Sequence, residues 1–239
     1  MAFDYSPRRT EAGLFLRMCR FLTRAIIWFL AVSIGLTIVY RFVPPPMTIT
    51  MLVDEHGFTK DWTPLSRIDR NMVDAVIGGE DAKFCTHNGF DQQAIEQAME
   101  RNAAGKRLRG GSTVSQQTAK NVFLWQGDGW TRWLRKGLEV WFTFLVETLW
   151  DKRRIMEVYL NVAETGRGTY GVEEGARRYF GKSAANLSRS EAARMAAALP
   201  SPKTRAVKSP GGFTRRYGNA IAARIGVVHR DGLDACIYE

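Results

Sequence analysis

The sequence predicts a mostly α-helical protein in which one N-terminal helix crosses a membrane and a helical domain follows it. Three observations carry this. Every position between Arg24 and Arg41 is uncharged. Apolar residues recur at helical spacing through residues 68–77, 132–150 and 152–162. Only residues 48–53 alternate as a strand would. With 239 residues, 45% of them hydrophobic, and a net charge of +10, the chain has room for one globular domain of ordinary size and an appendage.

The uncharged run alone makes a helix of about 24 Å at ~1.5 Å per residue, short of a bilayer core of ~30 Å. Adding Phe21, Leu22, Phe42 and Val43 extends the span to residues 21–43, with Arg24 reaching toward lipid phosphates from one end. Arg8, Arg9, Arg17, Arg20 and Arg24 precede the apolar centre against only Asp4 and Glu11. This bias predicts that residues 1–20 are a cytosolic tail. No small-residue cleavage site follows the span, and Pro44, Pro45 and Pro46 stop the helix. The expected anchor is therefore uncleaved. Residues 44–66 read as a linker with a short strand, and residues 67–239 as the main domain.

The three cysteines, Cys19, Cys85 and Cys236, are too few and too irregularly spaced for a disulfide framework or a zinc site. Cys19 falls on the cytosolic side; Cys85 and Cys236 can pair in an oxidising compartment, but spacing gives no distance between them. The basic excess carries no recognition-helix, zinc-finger or aromatic-platform pattern, so nucleic acid is not an expected partner. Anionic lipid and phosphate groups account for the same charge.

Pro64 and Ser66 open a helix whose apolar face is Ile68, Met72, Val73, Val76 and Ile77. Gly78 and Gly79 then remove side chains, so that backbone or ligand can approach Glu80. The next ten residues read EDAKFCTHNG. Phe84 and His87, three apart, share one side of a helical turn and hold the Glu80 and Asp81 pair against the core until Gly89 ends it. Asp91 caps the following helix, with Ile95, Ala98 and Met99 inward. The basic, glycine-rich residues 105–111 are a mobile flap or a solvated connector.

Residues 111–124 read GSTVSQQTAKNVFL, with Thr113 and Gln116 spaced as a capping box. The free N–H groups of that terminus suit an anion. Gln117 and Lys120 share a face with Leu124 and bring an amide and a cation to one cleft. Trp125, Trp130 and Trp133 surround a Gly-Asp-Gly turn and suit either the bilayer interface or the core. Through residues 132–150, apolar residues cover most of the helix, which predicts burial. Arg132, Arg135, Lys136, Glu139, Thr143 and Glu147 form one stripe along it. Charges on a buried helix need partners or water, so the stripe lines a cleft or closes into an ion-pair ladder; the first reading is preferred. Residues 152–161 form a helix with Ile155, Val158 and Tyr159 inward, and Ser188 and Glu191 form a second capping box. No chemistry is read in residues 203–239.

In chain order, E-D-x-x-F-x-x-H-x-G at residues 80–89, the S-T-x-S-Q-Q-x-x-K-N run at 112–121, R-K-x-x-E at 135–139 and K-x-x-I-x-E-x-Y-L-N at 152–161 resemble the signatures of the peptidoglycan glycosyltransferases, enzymes that polymerise lipid II. Ser115 stands where that family carries Thr and keeps its hydroxyl. A weaker fifth match runs from 168 to 182, where Glu174 and Gly175 replace small apolar residues. No S-x-x-K, S-D-N or K-T-G set follows, so the chain is similar to the monofunctional, membrane-anchored members. The resemblance implies a lysozyme-like helical glycosyltransferase domain with a membrane-proximal jaw, lying outside a bacterial inner membrane. It implies Glu80 as general base and Glu139 as second carboxylate, with Lys120, Arg135 and Lys136 at a departing diphosphate. Asp81, Ser115 and Gln117 become substrate-side groups, and Phe84, His87, Glu157 and Asn161 supports. A Mg²⁺ or Mn²⁺ ion bridging substrate phosphates near Glu139 is the only metal expected; His87 and the acids beside it are not spaced as a zinc cage. The expected partners are lipid II, the growing lipid-linked strand, membrane lipids and proteins of cell-wall synthesis or division. Two rival readings are a glycan-cleaving enzyme on the same fold and a non-catalytic membrane scaffold.

Overall fold

The computed structural model of the chain describes residues 8–103, 111–126, 129 and 131–238. They form two compact units, Met1–Phe42 and Val43–Glu239. The first is the helix α1 (Arg8–Phe42). Its stretch Gly13–Phe42, 30 residues with mean hydropathy 2.0, is long and apolar enough to cross a membrane. The Ser33 and Thr37 hydroxyls donate to carbonyls of their own helix at 3.0 and 2.7 Å, so these two polar groups are satisfied within it.

In the second unit, residues 44–66 carry folded elements. Where alternation suggests a strand at 48–53, the chain forms a helical turn, α2 (Ile49–Leu52). Thr48 caps it by accepting from the Met51 N–H at 3.3 Å, and Met51 is buried while Ile49 and Leu52 are open. A capping threonine outweighed a short alternation. The strand lies later: β1 (Thr59–Lys60) runs parallel to β3 (Thr169–Tyr170), which pairs antiparallel with β2 (Glu164–Gly166). A 3-10 turn, Leu65–Arg67, occupies the position where Pro64 and Ser66 were to open a helix. The helix α3 (Arg70–Glu80) begins instead behind Asp69, whose carboxylate accepts from the Asn71 N–H at 2.8 Å.

Met72, Val73, Val76 and Ile77 on α3 are fully buried. They pack against α9 (Arg189–Ala198) and α10 (Gly212–Arg230). The expected Ser188 and Glu191 box caps α9. Gly78 and Gly79 serve this packing rather than a ligand. A Cβ on Gly78 would stand 3.1 Å from the Arg224 Cβ, and one on Gly79 would stand 2.9 Å from the Ile221 Cδ1.

Around the other side of the site stand α4 (Gln92–Ala103), α5 (Val114–Phe123), α6 (Thr131–Leu149), α7 (Lys152–Val162) and α8 (Val172–Phe180). Asp91 caps α4 as expected, but Met99 is exposed; Ala94, Ile95 and Ala98 form the inner face, against Gly111. The expectation that α6 is largely buried fails, since Trp133, Leu134, Val140 and Phe144 are open. Only Glu139, Phe142, Thr143, Leu145 and Val146 are buried along it. An apolar circumference identifies surface that avoids water, and here much of it is not covered by protein. Gly175 must be small, since a Cβ there would meet the Met195 side chain and Thr165 Oγ1 at 2.8 Å.

The chain closes on itself at the C-terminus. Cys85 and Cys236 form a disulfide, with Cα atoms 5.5 Å apart across 151 residues of sequence, while Cys19 remains a free thiol. The short α11 (Ala235–Tyr238) is fastened further by Arg153 Nη1, which donates to the Ile237 carbonyl at 2.9 Å, and by the Arg70 guanidinium over the Tyr238 ring at 4.6 Å.

Gly78→Val tests the close crossing of α3 and α10. Overpacking there costs about 1–3 kcal/mol, more than the few tenths of a kcal/mol that helix propensity returns. The variant should melt lower or unfold at lower denaturant; unchanged stability would show that the glycine does not serve helix contact.

Candidate active site

Glu80 is the last residue of α3 and Asp81 its C-cap. Residues 81–89 are a set of turns rather than a continued helix, and Asp81 organises them. Its carboxylate lies 2.9 Å from His87 Nε2 and accepts from the Val114 N–H at 2.9 Å. The Gly89 N–H donates to His87 Nδ1 at 3.1 Å, which leaves Nε2 to carry the proton donated to Asp81. Phe84 is fully buried and meets the His87 ring edge-on, with centroids 6.3 Å apart. Phe84 and His87 thus pack together within the loop. Asp81, however, is buried with its oxygens committed, so it orients the loop and does not face a substrate.

The same contact corrects the reading of the α5 terminus. The Thr113 and Gln116 capping box is present. The anion received by the Val114 N–H is the chain's own Asp81. Thr113 Oγ1 donates to the Gly89 carbonyl at 2.6 Å, a second tie from α5 to the loop. Ser115 is fully buried, and its hydroxyl donates to Glu147, so it does not open to the cleft. Glu147 also pairs with Lys152 at 2.8 Å, and Lys152 donates to the His87 carbonyl at 2.7 Å with its ammonium 4.8 Å from the Phe84 ring. Gly89 sits where φ is +89°, and a Cβ on it would meet Thr143 and Glu147 at 2.8 and 2.9 Å.

On the exposed side of α5, Gln117 donates to Glu80 Oε2 at 3.0 Å. Gln117, Lys120, Arg132, Arg135, Lys136 and Glu139 line a pocket of about 210 Å³. Four of these six are cations. Glu139 is buried, with Lys136 Nζ at 2.6 Å and Arg135 Nη1 at 3.5 Å, so the α6 charges form the ladder and line the cleft at once. Among the described residues, the Arg135 Nε is buried without an acceptor. A cationic pocket with a spare donor suits an oxyanion. The stripe along α6 divides: Arg132 to Glu139 line the pocket, while Thr143 and Glu147 lie under the loop.

Burial is the largest influence on Glu80 and pushes its carboxyl above the ordinary value of 4.5, with Asp81 acting the same way. The Gln117 hydrogen bond and the Arg205 and Lys120 charges oppose this. Burial likewise lowers Lys120 from 10.5, against the attraction of Glu139 and Glu80. Lys120 is thus within electrostatic reach of both carboxylates.

Glu157 and Asn161 lie elsewhere. Asn161 accepts from the Thr63 N–H at 2.8 Å and donates to its carbonyl at 2.9 Å, and Glu157 accepts from the Leu65 N–H at 2.9 Å. They hold residues 63–65 and do not brace the groove. Trp133 is exposed and Trp125 half-buried; Gly127, Asp128 and Trp130, with the flap at 105–110, lie outside the described residues.

Sequence reading missed the contribution of residues 203–239. Tyr217 donates to the Gly79 carbonyl at 2.6 Å and Arg224 to the Gly78 carbonyl at 3.0 Å, while the Arg205 charge reaches Glu80. The Tyr217 and Arg224 contacts join residues 138 and 146 positions apart, and no local pattern announces such contacts.

Residues 47–225 match the Transglycosylase family. A "Biosynthetic peptidoglycan transglycosylase" of Caulobacter vibrioides is 50% identical over 203 residues, covering 84% of this chain and 87% of the relative. Proteins of the same description from Rhodospirillum centenum and Pseudomonas aeruginosa are 46% and 47% identical, covering 93% and 82% of this chain and 97% and 88% of themselves.

Lys152→Met should destabilise the fold by about 3 kcal/mol, because it strands the largely buried Glu147 carboxylate. Adding Glu147→Gln should recover much of that loss in a thermal-melt double-mutant cycle; purely additive losses would show that the pair is not coupled.

Proposed function

Because the chain belongs to the transglycosylase family, an enzyme family of glycosyltransferases, we propose that it polymerises lipid II into peptidoglycan strands, forming β-1,4 bonds with release of undecaprenyl diphosphate. The observation that carries the mechanism is Gln117, which lines the cationic pocket with Lys120 and Glu139 and donates to Glu80 Oε2 at 3.0 Å. A proton acceptor and a cation cluster then act on one bound sugar.

The reaction converts an α-linked lipid diphosphate into a β-glycoside, so a single displacement suffices and no protein nucleophile is needed. Glu80 accepts the proton of the acceptor's 4-hydroxyl as that oxygen bonds to the anomeric carbon. The bond to the diphosphate oxygen breaks, and its electron pair leaves with the lipid. Lys120, Arg135 and Lys136 neutralise the charge arriving there, and Glu139 holds the two α6 cations in place. The Arg135 Nε, without an acceptor among the described residues, is a further donor for a phosphate oxygen. Gln117 fixes the Glu80 carboxylate. A metal cage does not fit this pocket, because cations surround Glu139; a Mg²⁺ or Mn²⁺ ion would enter on the substrate's own phosphates.

The N-terminus is cytosolic and the Val43–Glu239 unit extracytoplasmic, at the inner membrane. The arginine excess before the span supports this, as does a disulfide in the second unit, which persists where thiols are oxidised. The open Trp133, Leu134, Val140 and Phe144 on α6 offer an apolar face to membrane lipid near the pocket. Proteins of cell-wall synthesis or division are the proposed partners.

Glu80→Gln should fold normally yet lose about 10²–10⁴-fold in glycan formation from lipid II in detergent, read by sizing the product. Retained polymer would remove Glu80 from its role, and soluble glycan fragments in place of polymer would indicate cleavage. A pH profile offers an independent check. Since burial raises Glu80, its base form is lost as pH falls through a value above 4.5, and activity should rise with pH across that limb. Gln117→Leu removes an interaction that favours the carboxylate, so the limb should move to higher pH. An unshifted limb would assign it to another group.

A further inference from the structure

Outside the residues that line the pocket, Asp74, Asp234 and His229 bring one ligand atom each to within 4.8 Å of one another. They come from three elements: the middle of α3, the last turn of α10 and the turn before α11. Both aspartates are buried, at 2% and 0% exposure, whereas His229 is open to solvent. Asp234 commits Oδ2 to Arg70 Nε at 2.7 Å, and among the described residues its buried Oδ1 meets no N–H or hydroxyl donor, only the carboxyl of Asp74. The Asp74 Oδ1 is likewise buried and, among the described residues, meets no N–H or hydroxyl donor. Two buried carboxylate oxygens close together and undonated are costly unless a positive species lies between them.

From these features we infer that Asp74, Asp234 and His229 bind a divalent transition-metal ion, Zn²⁺ by preference, at a site separate from the glycosyl-transfer pocket.

The donor set argues for the class of ion. Three protein donors that include an imidazole suit Zn²⁺, which accepts nitrogen and carboxylate oxygen at four positions and lets water complete the shell from the open His229 side. Ca²⁺ wants six to eight oxygens, and Mg²⁺ a near-octahedral oxygen shell. The consequence is mechanical. The ion ties the end of α10 and the start of α11 to the helix that delivers Glu80, beside the Cys85 and Cys236 disulfide. Because His229 joins through its side chain on the surface, its replacement leaves the fold and the pocket intact.

The test uses full-length protein in detergent, stripped with a chelator and dialysed against Zn²⁺, with Mg²⁺ and Ca²⁺ in parallel. Metal analysis should find one Zn²⁺ per chain, and saturation should raise the melting temperature by roughly 5–10 °C. His229→Ala should weaken Zn²⁺ binding by at least about 10–100-fold while leaving glycan formation unchanged. Glu139→Gln, in the pocket, should leave Zn²⁺ binding untouched. The inference is overturned if no ion is retained and melting does not move, or if His229→Ala binds as tightly as the native chain. It is also overturned if Asp74→Asn is at least as stable as native protein in saturating Zn²⁺, since the carboxyl pair would then be sharing a proton. None of these outcomes bears on the lipid II assay of Glu80→Gln.

Discussion

One carboxylate joins the two sides of the proposed active site. Asp81 accepts from His87 across the loop and from the first N–H of α5, so the loop that follows Glu80 and the helix that carries Gln117 and Lys120 share a single anion. Each partner gains from the arrangement. A helix N-terminus needs acceptors for its unpaired N–H groups, and a buried carboxylate needs donors. Helix dipole and charge reinforce one another at that point. With α5 placed by this contact, Gln117 reaches Glu80, and Lys120 lines the pocket with Glu139.

The long helix α6 shows how one stripe of charge serves two purposes. Its first half keeps cations beside solvent, where Arg135 and Lys136 hold Glu139 and still face the pocket. Its second half buries Glu147 among Ser115 and Lys152, where every charge is answered by protein. Burial explains the difference in role. Exposed cations remain available to an incoming anion, whereas a buried ion pair stabilises only when it stays closed.

The C-terminal third completes the support from behind. The helix that ends at the proposed base leaves its last carbonyls without intrahelical donors. Tyr217 and Arg224 supply donors to Gly79 and Gly78, and the Arg224 cation also suits the negative end of the α3 dipole. The two glycines let α10 come close enough to do so. Glu80 is therefore delivered by a helix end held from α10 and, through Gln117, from α5.

Local order was readable from residues alone. The 3.6-residue periodicity of α3, α6 and α7, the two capping boxes and the apolar N-terminal span depend on neighbours within a few positions, and each is present. The resemblance carried by four short motifs led to the Transglycosylase family, which the match of residues 47–225 bears out. Direction and partnership were decided by tertiary structure. Ser115 and Lys120 lie on the same helix, yet one is sealed against Glu147 and the other lines the pocket. Glu157 and Asn161 hold the entering chain, and Cys85 meets Cys236 across 151 residues. Spacing along a helix says which side chains share a face, because the backbone repeats. What covers that face depends on segments far away in sequence, and only packing selects them.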